Sequence, residues 1–368
     1  MDIGRKAVSG IRELLNVDRE WSADEGRGFR WWGHDVGQFI QAVPVAGDDH
    51  STARILVTTP MLASAGADAR SADRVIAEMN QRSTGGAFRR LGTGEVVHDL
   101  ALTVDDDLLD WAVQVASTAA ILALTEGRRV AREFAPRLGS ALAVSQHPVS
   151  GRRPDQDDML NLTEQLIQPT GLQRSAWEHG EAFGGAALAL NQAGVALAAD
   201  TTGDMGLICE FGFGERATTF LYLGPTEDRP PSLAPGLPLL RPDAALGHGM
   251  LGWEILPMSV PVDEAARLAG LLNVAEAESL QREQLHVGAW TVWDAAGRPA
   301  PAYRVFVPNL LAGSTPPSAV GVNAFHRAAL ASSVLCPDER MMTGDALYGF
   351  MTERLEGLAA DAAVTLPN

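Results

Sequence analysis

Two stretches of the chain carry the same helical stripe of apolar positions. Ala72, Val75, Ile76 and Met79 recur at i, i+3, i+4 and i+7, and so do Ala265, Leu268, Ala269 and Leu272. That spacing places four side chains on one buried helix face. A β-rich run precedes each stripe, residues 55–60 in the first case and 253–260 in the second. Each stripe closes on an asparagine, Asn80 or Asn273, a residue expected there to take the left-handed turn that ends a helix.

The segments downstream of the two helices also correspond. Gly86-Ala87-Phe88-Arg89, a glycine-containing turn and a run over 96–104 read as a β-hairpin. Gly288-Ala289-Trp290-Thr291-Val292-Trp293, a turn at Ala296-Gly297 and a run over 303–308 read as a second one. Helices are then expected over about 107–132, where Leu108, Trp111, Ala112, Val115, Ala119 and Leu122 share a stripe, and over about 319–335. Upstream, each half opens with a short helix, marked by Ile11, Leu14 and Leu15 or by Met159, Leu160, Leu162 and Leu166. Strands come next: Arg30-Trp31-Trp32 and Gln38-Phe39-Ile40 in the first half, 195–199, 207–213 and 218–223 in the second.

The pattern predicts an α+β protein built twice. Each of two homologous domains, 1–148 and 149–368, is helix–strands–helix–hairpin–helix around an antiparallel sheet. The boundary falls in 145–154, where His147-Pro148-Val149-Ser150-Gly151 and Arg152-Arg153-Pro154 interrupt the periodicity. The second domain also holds a proline-rich insertion over 224–252, with Pro225, Pro230, Pro231, Pro235, Pro238 and Pro242. Repetition together with two-sided aromatic strands predicts that the domains pack as an intramolecular pseudo-dimer.

Charge narrows the partner classes. The 368 residues carry a formal charge of −17. Residues 1–150 hold 20 acids against 16 bases, and 151–368 hold 26 against 13. Such a surface disfavours nucleic acid and anionic lipid. Lys6 is the only lysine, so no Gly-Lys-Ser/Thr phosphate loop exists. Two cysteines, Cys209 and Cys336, are too few for a disulfide scaffold and suit free thiols in a reducing compartment. No signal-peptide pattern is visible, and the most apolar run, 112–124, is too short to span a bilayer. A cytoplasmic protein is expected.

The repeated unit resembles the type III secretion chaperone-like fold, in particular the YbjN-type group of bacterial proteins. The resemblance rests on the element order, on the helix ends Glu78-Met79-Asn80 and Leu271-Leu272-Asn273, and on the strand leading into Phe306-Val307-Pro308-Asn309. It covers nearly the whole chain, once per half. It implies small α/β domains that pair and bind other polypeptides without enzymatic activity. Two units in one chain and the proline-rich insertion depart from the simple secretion chaperones.

Candidate chemistry is sparse. Gly247-His248-Gly249-Met250-Leu251-Gly252 fits a dinucleotide fingerprint by letter, but a proline-rich loop precedes it and a strand follows, so no cofactor is expected. The eight histidines include no i, i+4 metal pair. His98 shares a strand face with Val96, Leu100, Leu102 and Val104 and reads as a core residue, and His34-Asp35 occupies a tight turn. Asp105-Asp106-Asp107 and Asp155, Asp157 and Asp158 each precede a helix, where carboxylates satisfy exposed amides.

The tryptophans are more informative. Trp31 and Trp32 are adjacent, and Trp290 and Trp293 are three apart, so neither pair can share one face of a strand. One member of each pair then needs cover from the sister domain, another chain or a client. Trp253, Trp290, Trp293, Trp31 and Trp32 are therefore the candidate binding residues, with the 224–252 insertion as a gate. The expected function is non-enzymatic binding of a polypeptide client, of chaperone or adaptor type, the acidic rim favouring a client with basic flanks. The alternative is an enzyme or small-molecule sensor whose site assembles only in three dimensions.

Overall fold

A computed structural model describes residues 2–45, 51–64, 66–161, 174–179, 181–192, 206–213, 217–226, 243, 246–279, 285–295, 297–313 and 315–336. The chain is α+β, with two antiparallel sheets and several helices. It divides into two compact units, Met1–Thr170 with Ala266–Thr291, and Gly171–Ala265 with Val292–Asn368. Residues 266–291, part of the second sequence repeat, thus belong to the first unit.

The first unit is built on a sheet in the order β1 (Ser22–Glu25), β2 (Gly28–Trp31), β3 (Gln38–Pro44), β4 (Ala53–Leu62) and β6 (Val96–Val104). Two short strands share the free side of β6. β5 (Ala87–Arg90) pairs with its residues 96–99, and β10 (Leu285–His286) with 101–102. α1 (Ile3–Leu14) lies close against the sheet, because a Cβ on Gly4 would come within 2.7 Å of Ala42 and 2.9 Å of Ala53. Its N-terminus is capped by Asp2, whose side chain accepts from the Arg5 amide. α3 (Leu109–Leu122) continues through a π-helical turn (Ala123–Gly127) into α4 (Arg128–Phe134), matching the long helix expected there. Asp157 caps the helical turn that follows it, accepting from the Met159 amide at 2.8 Å. Asp105 does not cap α3: it accepts from the Leu108 amide at 2.9 Å in the turn ahead of that helix, whose N-cap, Leu108, carries no side-chain hydrogen bond.

Both striped helices form, as α2 (Ala69–Asn80) and α6 (Val262–Glu278), and residues 266–278 of α6 lie in the first unit. The asparagines do not take left-handed turns. Asn80 is the last residue of α2, Asn273 sits inside α6, and the only non-glycine residue with positive φ among the described residues is Asn16. Each is 1% exposed and turns its carboxamide onto a strand. Asn80 Oδ1 accepts from the Phe88 amide at 2.7 Å while its Nδ2 donates to the Phe88 carbonyl at 3.1 Å. Asn273 repeats this on Trp290, at 2.8 and 2.9 Å. Phe88 and Trp290 occupy corresponding places after the two striped helices, so the likeness between these two stretches extends to their hydrogen bonds. Asn80 Nδ2 also donates to the Trp290 carbonyl at 3.3 Å, and Thr291 Oγ1 donates to the Ala77 carbonyl at 2.7 Å.

Two buried arginines brace the same unit. Arg54 donates to the carbonyls of Glu276 (2.8 Å) and Ala277 (3.2 Å), setting positive charge at the C-terminal end of α6. Burial lowers its pKa to about 10, with Glu276 and Asp99 pulling back up, so it stays charged at neutral pH. Arg128 joins α4 to the carbonyls of Met61 and Ala143 and to Asp35 at 2.6 Å. Asp35 therefore anchors a helix as well as occupying the turn read from sequence.

In the second unit the sheet order is β11 (Ala289–Ala295), β12 (Arg298–Pro308), β9 (Gly249–Ile255), β8 (Ala217–Pro225) and β7 (Leu207–Phe213). Residues 289–291 of β11 count with the first unit. α5 (Glu181–Gln192) and α7 (Thr315–Leu335) pack together, and both also pack on β7. From α7, Arg327 donates to Glu254 at 3.0 Å and to Asn323 at 2.6 Å, and its guanidinium lies 3.5 Å from the centre of the Tyr303 ring. The expected strand 195–199, residues 162–173 of the helix opening the second repeat, and 227–242 and 244–245 of the proline-rich insertion lie outside the described residues.

Replacing Asn80 by alanine is expected to strip the buried Phe88 amide and carbonyl of their helix partner, and replacing Asn273 to strip the Trp290 amide of its carboxamide acceptor, leaving its carbonyl with the longer contact from Asn80. Each substitution should cost about 2 kcal/mol of unfolding free energy, measured by urea denaturation. A loss within about 0.3 kcal/mol of zero at both positions would remove the clamp from any structural role.

Candidate functional site

A cleft of ≈ 160 Å³ opens in the first unit between α2 and α6. Asp73, Ile76, Ala77 and Asn80 line it from α2, and Arg267, Gly270, Leu271, Asn273 and Val274 from α6. Phe88, Arg89, Arg90 and Trp290 complete the lining from β5 and the start of β11. The two asparagine clamps thus hold the very strand residues against which the helices stand.

Its electrostatics oppose those of the chain. Three arginines face one aspartate around the opening, in a protein of net charge −17. Arg89 is pinned: its Nε and a terminal nitrogen both reach Asp99 Oδ2, at 2.8 and 2.6 Å, and Glu278 lies 3.8 Å from another nitrogen. Burial raises the Asp73 carboxyl above the usual carboxylate range, and Arg90 and Arg267 oppose that shift. Gly270 keeps the cleft open, since a Cβ there would meet nothing nearer than Asp73 Oδ1 at 4.0 Å.

Two imidazoles lie behind the cleft and are sealed from it. His98, on β6, is 2% exposed and meets the Phe88 ring edge-on with centroids 5.0 Å apart. Ser83 Oγ donates to the Gly86 carbonyl at 2.7 Å, which uses its one proton. His98 Nε2, 2.9 Å away, must therefore be the donor to Ser83 Oγ. This orientation is the reverse of a nucleophile–base pair, in which the hydroxyl donates to the imidazole. Burial, aided by nearby His286, drives the His98 pKa down to about 3. His286 itself meets Glu276, its Nδ1 lying 2.5 Å from Oε2, and both side chains are 1% exposed. Among the described residues no cluster of three or more His, Cys, Asp or Glu is placed to hold a metal ion.

Of the candidate tryptophans, only Trp290 lines this cleft. Trp31, Trp32 and Trp290 are at most 2% exposed and Trp253 is 8% exposed, so these four are core side chains rather than a free aromatic patch. Trp32 escapes the strand-alternation argument because it lies just beyond the end of β2. It is covered within its own unit, donating from Nε1 to Ser145 Oγ at 3.1 Å and packing edge-on against His147. Trp293 keeps partial exposure and lies 5.1 Å from Trp253, ring centre to ring centre.

Sequence reasoning passes over the three arginines and Asp73. Their only signal is position: Asp73 borders the first stripe, Arg267 interrupts the second, and Arg89-Arg90 come directly after the first hairpin aromatic. No family model, curated protein or solved structure matches this chain.

The sealed imidazole and the open cleft each generate an expected outcome. The unfolded chain takes up a proton near pH 6.5 that folded His98 refuses until about pH 3. Its contribution to stability is therefore complete above pH 6.5 and is lost as the pH falls, by at most about 1.4 kcal/mol per pH unit. Denaturation curves at pH 7 and 5 should show the wild type losing more stability than His98→Gln; equal losses would contradict the sealed imidazole. Gly270→Ala should raise stability by about 0.5–1 kcal/mol, because an interior helical glycine gains from the methyl group and the space is open. A lower melting temperature would show that the cleft is tighter than its geometry.

Proposed function

We propose that this chain is a non-enzymatic polypeptide-binding protein of chaperone or adaptor type, with the α2–α6 cleft receiving a side chain or chain end of its client. One observation carries the reading: the polar side chains lining the cleft are three guanidiniums, one carboxylate and the two clamping carboxamides, whereas the Ser83–His98 pair lies outside that lining with its protons committed to Gly86 and Ser83. Charged groups on a rigid frame suit recognition, and a buried neutral imidazole that acts as a donor does not suit proton abstraction. The resemblance of each repeat to the type III secretion chaperone-like fold points the same way. In this reading the two repeats form an intramolecular pseudo-dimer working in the cytoplasm, with no nucleic acid, membrane or cofactor involved. No helix among the described residues is long and apolar enough to cross a membrane. The Cys209 thiol, pushed up to about 12 by burial, would remain protonated there.

This proposal reverses the polarity expected from net charge, because the cleft arginines favour an acidic group of the client over a basic one. A second reading, a small-molecule sensor, draws on the cleft's modest volume. The full-length chain, purified from its native host, should retain a polypeptide that the Arg90→Glu/Arg267→Glu double variant loses while melting as the wild type does. Retention of a small molecule with no polypeptide, seen by native mass spectrometry, would replace the first reading with the second. Equal retention by both proteins would remove the cleft from function.

A further inference from the structure

We propose that one end of the second sheet docks a polypeptide turn carrying serine two residues before tryptophan, and that the chain's own Ser175-Ala176-Trp177 is seated there as a self-ligand. This assignment rests on the polypeptide-binding reading and concerns the second unit, where the α2–α6 cleft plays no part. Gly249, from the glycine-rich run 247–252, pairs with Pro308, and Asn309 follows directly. The Asn309 carboxamide grips a peptide backbone in both senses. Its Nδ2 donates to the Arg174 carbonyl at 3.0 Å, and its Oδ1 accepts from the Ala176 amide at 2.9 Å. Asn80 and Asn273 grip strand backbone inside the first unit at 1% exposure, whereas Asn309 does so at the surface. A carboxamide pairs with the amide and carbonyl of any residue, so this contact reads backbone alone.

Selectivity comes from the two side chains that turn inward. Ser175, 4% exposed, donates from Oγ to the Gly249 carbonyl at 2.7 Å and accepts from the Trp177 amide at 3.1 Å. Alanine would make neither bond. Trp177, 3% exposed, donates from its indole nitrogen to the Gly313 carbonyl at 2.8 Å, a bond that phenylalanine would lose. The Glu178 amide donates to the Ser175 carbonyl at 3.2 Å and closes the turn. Arg174 and Ala176 are exposed, so those positions impose no side-chain preference.

The self-ligand is replaceable. Its backbone contacts are made by exposed atoms, the kind that open locally while the sheet stays intact. It also leaves apolar surface uncovered, because Leu310, next to Asn309, is 60% exposed. A client that covers Leu310 gains contact the self-ligand does not make, which offsets the self-ligand's effective concentration, on the order of a millimolar for a tethered segment.

The test uses the full chain and the peptide acetyl-Arg-Ser-Ala-Trp-Glu-His amide, with versions carrying alanine for the serine or for the tryptophan. Ser175→Ala/Trp177→Ala removes the chain's own ligand and should bind the peptide at least about tenfold more tightly than the wild type, followed by calorimetry. Alanine in the peptide should weaken binding about thirtyfold at the tryptophan and about fivefold at the serine. Asn309→Asp, added to the emptied chain, keeps the acceptor and loses the donor, and should weaken binding about tenfold. A purely structural role for the turn predicts lost stability in the emptied chain with no peptide binding.

Binding no tighter than to the wild type, or unaffected by Asn309→Asp, overturns the assignment. Should the emptied chain fail to fold, the wild type is titrated with peptide to several millimolar while the Trp177 indole N–H resonance is followed. Displacement moves it to the position of a free indole, and a resonance that stays in place overturns the site. A polypeptide retained from the native host with no peptide binding overturns this assignment alone. Peptide binding with no retained polypeptide overturns the polypeptide-binding reading and leaves the docking site standing.

Discussion

A side-chain amide that pairs with a strand's backbone governs the first unit. Asn80 and Asn273 each satisfy both the amide and the carbonyl of one aromatic residue, Phe88 and Trp290, and so tie a helix to a strand at a fixed point. Buried backbone groups must find partners, and here the partner comes from the helix rather than from another strand. The helices are held at their asparagine turns, and the cleft lies between the bodies they anchor. Arg54 holds the far end of α6 by its last carbonyls, so that helix is fixed along its length by two polar contacts.

Charge in this protein is a local matter. The total of −17 says little about a cleft whose lining carries three arginines, because fields from exposed charges fade over about 8 Å at physiological salt. Three cations inside the fold are matched on the spot by a carboxylate: Arg128 by Asp35, Arg327 by Glu254, Arg89 by Asp99. Such pairs are costly to break singly, since the remaining charge would stay buried. Glu210 on β7 shows the opposite condition. Burial raises its pKa to about 7, only partly offset by a hydrogen bond from Thr218, so this carboxyl is about half protonated at neutral pH in the folded chain.

Periodic features are legible in the sequence, and convergent ones are not. The paired stripes ending at Asn80 and Asn273 announce α2 and α6, and the hairpin runs announce β5, β6, β11 and β12. The asparagines themselves defeat a local reading because their partners lie eight and seventeen residues downstream, and a rule for helix ends cannot see a tertiary contact. Alternation fails to place Trp31 and Trp32 because it lapses where a strand stops. The cleft is hidden for a different reason. Arg90 and Arg267 are 177 residues apart in an acidic chain, and nothing along the chain says that α6 returns to the first unit.

The clamp on β5 has a consequence for how the chain behaves when it loosens. β5 pairs with β6 through one side only, and the outward-facing amide and carbonyl of Phe88 are the groups by which a foreign strand would attach. Asn80 occupies them, so α2 acts as a guard over an edge that would otherwise invite strand addition. Fraying of the last turn of α2 would uncover that edge beside the buried Phe88 ring. Solubility of the whole chain is thus coupled to the integrity of one helical turn, well before the sheet itself comes apart.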